Sequence, residues 1–310
     1  MTHARRLKEI DLRTAANTLK KRLSPCTICP FKCGTDRFRE KRGRCRSGHL
    51  PRIASATLHF GEEPPISGSR GSGAIFFSSC GMRCIFCQNY PISQLGNGNE
   101  LTEARLAEEM LALQRRGAHN INLVTPTHYT PQIVEALANA KGSGLTIPVV
   151  YNSSGYDDIE TLRLLDGIVD IYLPDMKYGT DENALLYSGA QRYVEINRRA
   201  VREMYRQTGA LQTDDDGVAR RGLLVRHLVL PGNISRTGEV LDWLSRLSND
   251  IPVSLMNQYF PAYRAHGIEQ LGRRLREDEY ESAKRLLEKY GFREGWTQGL
   301  RLPGEVPDDA

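Results

Sequence analysis

From residue 74 onward, short apolar runs and amphipathic segments take turns along the chain, and this alternation constrains the fold more than any other feature. The pattern predicts strands over 74–79, 121–125, 147–152, 169–173, 223–230 and 252–256. It predicts helices over 102–116, 131–141, 157–165, most of 182–207, 236–247 and 278–290. Thr102 is the expected N-cap of the first helix, in which Leu106, Met110 and Leu113 recur at helical spacing. Six rounds of strand and helix imply an α/β fold with a parallel sheet and right-handed crossovers. An open doubly wound sheet and a full or partial barrel both satisfy that pattern.

The first quarter of the chain reads differently. Residues 3–23 form a basic, helical lead-in that ends at Ser24-Pro25. Residues 26–49 are rich in Cys, Gly and Arg and poor in large apolar side chains, so this segment needs a staple other than a core. Residues 50–72 read as irregular, with Pro64-Pro65 and a Gly/Ser run. The expected division is an extension over 1–72 and an α/β unit over 73–310.

With 310 residues, 40% hydrophobic and 25% charged, the composition is that of a globular protein. It excludes a disordered or collagen-like chain. The longest apolar runs, such as Ala74-Ile75-Phe76-Phe77, are too short to span a bilayer, so no membrane role is expected. The basic N-terminus lacks a following apolar run, so the expected location is cytoplasmic. Residues 1–50 hold 14 Lys/Arg against 4 Asp/Glu. Such a head could bind nucleic acid or an acidic partner, although a solvated surface is the preferred reading of the charge alone.

All seven cysteines precede residue 88. In a reducing compartment their close spacing favours metal over disulfides. Cys80, Cys84 and Cys87 follow the first predicted strand of the α/β unit with Cys-x3-Cys-x2-Cys spacing. That is the strand end at which parallel α/β folds gather their sites. A cubane iron–sulfur cluster takes one ligand per iron, so three cysteines leave one iron open. A structural zinc site wants four protein ligands, and this loop offers neither a fourth cysteine nor a nearby histidine.

The triad spacing, with Phe86 before the third cysteine, resembles the radical S-adenosylmethionine superfamily. The resemblance implies a [4Fe–4S] cluster on the triad whose open iron binds the amino and carboxylate groups of S-adenosylmethionine. It also implies reductive cleavage to a 5′-deoxyadenosyl radical that abstracts a hydrogen atom. It further implies a partial (β/α)6 TIM-type barrel carrying an N-terminal Cys-rich, metal-binding extension. Thr125, in Val124-Thr125-Pro126-Thr127-His128, stands where many members have Gly-Gly-Glu, so that correspondence is positional only. Asn152 in Tyr151-Asn152-Ser153 and Asp175 and Lys177 in Pro174-Asp175-Met176-Lys177 resemble the Thr-Asn-Gly and Asp-Leu-Lys motifs of glycyl-radical-enzyme activating proteins. Arg226 lies on a segment resembling their Arg-containing strand. Phe86, Thr125, Asn152, Asp175, Lys177 and Arg226 are therefore the expected cofactor contacts, and their amide, carboxylate and cationic groups suit the charges and hydroxyls of S-adenosylmethionine. His128 and His227 read as packing residues before proton donors, and Gln258 and Tyr259 as lid packing before substrate contacts. No catalytic residue is assigned.

Cys26, Cys29, Cys33 and Cys45 supply four more thiolates, enough to close a zinc site or to saturate a second iron–sulfur cluster, with His49 as a replacement ligand. Arg37, Arg39, Lys41, Arg42, Arg44 and Arg46 surround the later part. Cys-Pro-Phe-Lys-Cys-Gly, Gly-Arg-Cys, the triad loop and Pro-Thr-His together resemble the iron–sulfur proteins homologous to pyruvate formate-lyase activating enzyme, over about residues 25–265. That resemblance implies an electron donor such as flavodoxin or ferredoxin, and a glycyl radical enzyme as partner. A radical enzyme acting on a small molecule or peptide is the alternative. A zinc-stapled nucleic-acid-binding protein ranks last, because a binding module has no need of a three-cysteine loop.

Overall fold

The computed structural model describes residues 12–39 and 42–297. Residues 3–11 of the expected lead-in, and Lys41, lie outside that set. The described part of the lead-in is helix α1 (Leu12–Lys21), which buries Ala16 and Leu19. Strand β1 (Arg52–His59) and helix α2 (Pro64–Ser67) follow, within a stretch expected to be irregular. The correction has a physical reason: only Ile53 of β1 is fully buried, so the strand carries no apolar signal of its own. It is held by antiparallel pairing with β2 (Ser72–Phe77), from Ile53 against Phe77 to His59 against Ser72.

Next come α3 (Tyr90–Ser93), β3 (Asn99–Glu100), α4 (Glu103–Arg115), β4 (Ile121–Val124), α5 (Thr130–Gly142) and β5 (Val149–Ser153). Thr102 caps α4, its hydroxyl accepting from the Arg105 N–H at 3.3 Å, and Leu106, Met110 and Leu113 are buried. Helix α6 (Ile159–Arg163) and β6 (Ile171–Pro174) follow. The helical stretch expected over 182–207 is two helices, α7 (Asp181–Ser188) and α8 (Tyr193–Thr208). Gly189 stops the first in the left-handed conformation. The chain continues through β7 (Gln212–Thr213), β8 (Ala219–Leu223), β9 (Val225–Leu228), α9 (Thr237–Leu247), β10 (Val253–Met256), α10 (Glu277–Tyr290) and β11 (Gly295–Thr297).

The result is an α/β fold with a mostly parallel central sheet. Strands β2, β4, β5 and β6 lie side by side in parallel, with Ile121 opposite both Gly73 and Val149, and Val150 opposite Ile171. Strands β9, β10 and β11 form a second parallel group. A bridge between Asp175 and Arg226 joins the two. The strand expected over 223–230 thus serves both groups: β8 pairs with β6, and beyond Leu224 the chain passes to β10 as β9. Both faces of the parallel strands are covered, and β4, β5, β6 and β10 are buried almost throughout. The strand ends at Phe77, Val124, Ser153, Pro174, Leu228 and Met256 consequently open toward one face. Among the described residues no helix is long and apolar enough to cross a membrane.

Candidate functional site

A cavity of about 220 Å³ lies over those strand ends. It gathers Cys80, Cys84, Cys87 and Phe86 from the loop after β2, and Thr125 from the end of β4. It also gathers Asn152 from β5, Asp175 and Lys177 from the end of β6, and Arg226 from β9. The sequence separates these residues by up to 146 positions; the parallel topology brings them to one wall.

The triad loop is tightly wound. Ser79 and Arg83 take φ of 72° and 53°, values that side chains disfavour and that a loop holds only when its surroundings impose them. Those surroundings are visible. Ser79 N–H donates to Ile92 O at 2.8 Å, and Ile85 N–H to Tyr187 O at 3.0 Å. Arg44, from the Cys-rich head, donates to Gly81 O at 2.8 Å and to Ser188 O at 2.8 Å. Each thiol has polar company: Cys80 receives the N–H groups of Arg83 and Met82, Cys84 the Ser188 hydroxyl at 2.9 Å, and Cys87 pairs with the Ser93 hydroxyl at 3.1 Å. Burial pushes the Cys84 thiol up to about 12 and raises that of Cys80, so both keep their protons until a metal displaces them.

Among the described residues no three His, Cys, Asp or Glu side chains stand close enough to share one ion. A single zinc holds its thiolates at about 2.3 Å, whereas a cubane takes one thiolate per iron and spreads its ligands around the cube. Three thiols lining one cavity supply three of the four ligands that a cubane takes.

Lys177 Nζ lies 2.5 Å from Asp175 Oδ2. Burial alone would lower the lysine pKa, but the Asp175 carboxylate outweighs it and raises it. Lys177 therefore carries its charge beside the triad. Asn152 is buried; its Oδ1 accepts from Arg226 at 3.5 Å while its Nδ2 has no partner. A buried donor left unpaired at a cavity wall is a place for a ligand acceptor. Thr125 takes φ of 62°, a conformation costly for a β-branched residue, in the segment that corresponds by position to the Gly-Gly-Glu of the resembling family. Phe86 is buried and meets Tyr178 and Tyr259 edge-on, with centroids 6.4 and 6.1 Å away. These groups fit a [4Fe–4S] cluster with S-adenosylmethionine: three thiols, one ion pair and one orphaned amide on one cavity wall.

Arg226 is engaged on its inner side. It forks onto Glu63 at 2.7 and 2.6 Å and also pairs with Glu62. Burial would raise the Glu63 carboxyl, but Arg226 overrides it and holds it below the usual range. Glu62 also accepts from Asn122 at 2.9 Å. This clamp escapes the sequence reading, since its partners are 163 and 164 positions from Arg226 in a segment without motif. A second cavity of about 400 Å³ sits beside the first and shares Asn89, Val124, Asn152, Arg226, Met256 and Gln258 with it.

The other expected residues fall as follows. His128 Nε2–H donates to Ser78 O at 2.8 Å, and burial pushes it down to about 3. His227 Nδ1–H donates to Met176 O at 2.6 Å and Nε2 accepts from Thr237 at 3.0 Å. Gln258 lines both cavities, while the Tyr259 hydroxyl donates to Leu271 O at 2.6 Å. His49 stacks on Phe38 with centroids 5.9 Å apart. Arg37, counted among the charges around the head, is buried and donates to Gly48 O at 2.9 Å and to His128 O.

The sequence profile of the Radical SAM superfamily matches residues 74–209. Uncharacterized protein MJ0674 of Methanocaldococcus jannaschii is 31% identical over 293 residues, covering 92% of this chain and 80% of that protein. Among solved structures, methylornithine synthase (PylB) is similar with a TM-score of 0.47 and 17% identity, covering 93% of this chain and 77% of that one.

Proposed function

Because the chain belongs to the radical SAM superfamily, we propose that it is a radical enzyme whose triad Cys80, Cys84 and Cys87 holds one [4Fe–4S] cluster with S-adenosylmethionine beside it. The convergence of the three thiols, the Asp175–Lys177 pair and the unpartnered Asn152 amide on one cavity carries this reading. When bound, the cluster supplies reductive cleavage of S-adenosylmethionine and hydrogen-atom abstraction. The chain supplies position. Lys177 places a cation beside the triad, Asn152 Nδ2 offers a donor, and Phe86 closes the wall with an apolar edge. The parallel strands β2, β4, β5, β6, β9 and β10, joined across the Asp175–Arg226 bridge, support reading the architecture as a partial (β/α)6 barrel.

The substrate class is a glycine-bearing loop of a glycyl radical enzyme, as the motif resemblance implies, with a small molecule or peptide as the alternative. The second cavity, shared along one wall with the first, is the way in for either. A flavodoxin or ferredoxin is the proposed electron donor, the cytoplasm the proposed location, and Cys26, Cys29, Cys33 and Cys45 the ligands of a further metal centre, zinc or iron–sulfur. Anaerobic chain reduced with dithionite and given S-adenosylmethionine should release 5′-deoxyadenosine and methionine. Cys80→Ala, Cys84→Ala and Cys87→Ala should each abolish it; turnover retained in any of the three overturns the assignment. Production stimulated by a glycyl radical enzyme favours the protein partner, and stimulation by a metabolite favours the alternative.

A further inference from the structure

The triad is poorly placed to take an electron from outside. Cys84 is buried, and Cys80 and Cys87 face the cavity that substrate and S-adenosylmethionine would fill. The Cys-rich head covers the loop from another side. Cys29 and Cys80 line one small cavity of about 20 Å³, together with Phe31 and Gly81. Phe31 stacks its ring beneath the Arg44 guanidinium at 4.2 Å, and Arg44 in turn holds the triad loop.

Within the head the chain is wrapped around its sulfurs rather than around a core. Cys26 Sγ receives the N–H of Ile28, Cys29 Sγ that of Phe31, and Cys33 Sγ those of Thr35 and Arg44. Backbone bonds from Cys26 N–H to Thr35 O at 2.9 Å and from Gly34 N–H to Cys26 O at 3.1 Å close the turn. A Cβ on Gly43 would stand 2.5 Å from Cys33 Sγ, so a side chain there would push that sulfur aside. Amide donors aimed at sulfur favour the charged thiolate and tune a cluster bound to it. With His49 stacked on Phe38, the donor set is four sulfurs. Exposure grades inward: Cys33 is exposed, Cys29 half-buried, Cys26 and Cys45 buried.

Resting on the radical-enzyme reading above, we propose that Cys26, Cys29, Cys33 and Cys45 hold a second, redox-active iron–sulfur cluster that is the port by which electrons reach the triad. A reduced one-electron carrier of the flavodoxin or ferredoxin class is oxidised by one electron at the Cys33 side. The same electron leaves past Cys29 toward Cys80, and no bond forms or breaks. Zinc, which has no redox chemistry, would serve the wrapping but would give no reason for Cys29 and Cys80 to line one cavity.

The test uses the full chain, purified anaerobically. It should carry about eight irons and eight sulfides; about four would overturn the proposal. The Cys80→Ala/Cys84→Ala/Cys87→Ala chain should keep about four irons and, after dithionite, a paramagnetic signal indifferent to S-adenosylmethionine. Zinc or no metal in that chain also overturns it. Cys33→Ser, at the exposed edge of the head, should leave the S-adenosylmethionine-responsive signal intact, alter the other signal, and lose fast reduction of the triad by reduced flavodoxin. Reduction at the wild-type rate refutes the port. Absence of any signal that responds to S-adenosylmethionine in the wild-type chain would sink the triad reading instead, so the two failures are distinct.

Discussion

Lys177 Nζ and Asp175 Oδ2 lie 2.5 Å apart across a single intervening residue, at the point where β6 hands the chain to the cavity. The turn that makes this possible is fixed from outside: Tyr193 OH accepts from the Lys177 N–H at 2.7 Å, and Asn197 Nδ2 donates to Asp175 O at 3.0 Å. The pair is neutral as a whole, but its cationic end stands beside Cys84.

Lys177→Met should therefore expose the triad to an unbalanced carboxylate. Each side chain is about one-fifth exposed, which sets the stability cost near the lower end of the ~3–5 kcal/mol typical of a broken buried pair. Adding Asp175→Asn should restore most of it in urea unfolding. A cluster beside the lone carboxylate should also be harder to reduce, by roughly 60 mV or more, one tenfold step for a one-electron couple. An unchanged potential by spectroscopic titration would show that the pair does not face the cluster.

The Arg226 clamp predicts a sharper loss. Glu62 and Glu63 are about 95% buried, so Arg226→Met leaves two carboxylates without a cation and should cost at least ~3–5 kcal/mol. Arg226→Lys should rescue little, since an ammonium cannot fork onto Glu63 while reaching Glu62. Because the Glu63 carboxyl is held low, its contribution is present above about pH 4.5 and is lost as pH falls through its folded value. Arg226→Met should flatten that acid limb; an identical limb in both chains would contradict the clamp.

Burial pushes His227 down to about 4 and His128 to about 3, and both are neutral in the folded chain. In the unfolded chain they protonate near 6.5, so the unfolded state binds more protons below that pH. Stability should fall as pH drops from about 6.5 to 4, by up to ~1.4 kcal/mol per unit for each ring. His227→Gln, which keeps a donor for Met176 O, should show the shallower slope in unfolding midpoints measured between pH 7 and 5. Parallel slopes would mean that His227 is charged in the fold.

Gly155 adopts φ of +68°, and a Cβ on it would stand 2.2 Å from Asp175 O and 2.3 Å from Asn197 Nδ2. Gly155→Ala should displace Asp175 and cost on the order of 1–3 kcal/mol. It should slow S-adenosylmethionine cleavage while the iron bound at the triad stays constant, because no triad residue moves. Ser154→Ala, one residue earlier, is the control for the loop. Loss of triad iron in Gly155→Ala would show that the two walls are not separable.

Local signals account for what was legible in advance. The Thr102 cap, the buried stripe of α4 and the apolar runs of β2, β4, β5 and β6 are set by neighbours within a turn or two, so their pattern survives in the sequence. The triad is equally local, three sulfurs within eight residues. β1 was not legible, since its stability comes from ladder bonds to β2 and its side chains are mostly half-exposed. Nor was the break at Leu224, which depends on β6 lying on one side and β10 on the other. Glu62 and Glu63 belong to no motif, and only the fold sets them against Arg226.

What the amino-acid order determined alone is the alternation of strands and helices beyond residue 73 and the spacing of the two cysteine groups, because periodicity and ligand spacing act over a few residues. Tertiary structure alone decided that Asn152, Asp175, Lys177 and Arg226 share a wall with the triad, that Arg226 is balanced by Glu62 and Glu63, and that Cys29 and Cys80 line one small cavity. Those relations arise from sheet register and close packing across up to 164 positions, and such contacts leave no periodic trace in the chain.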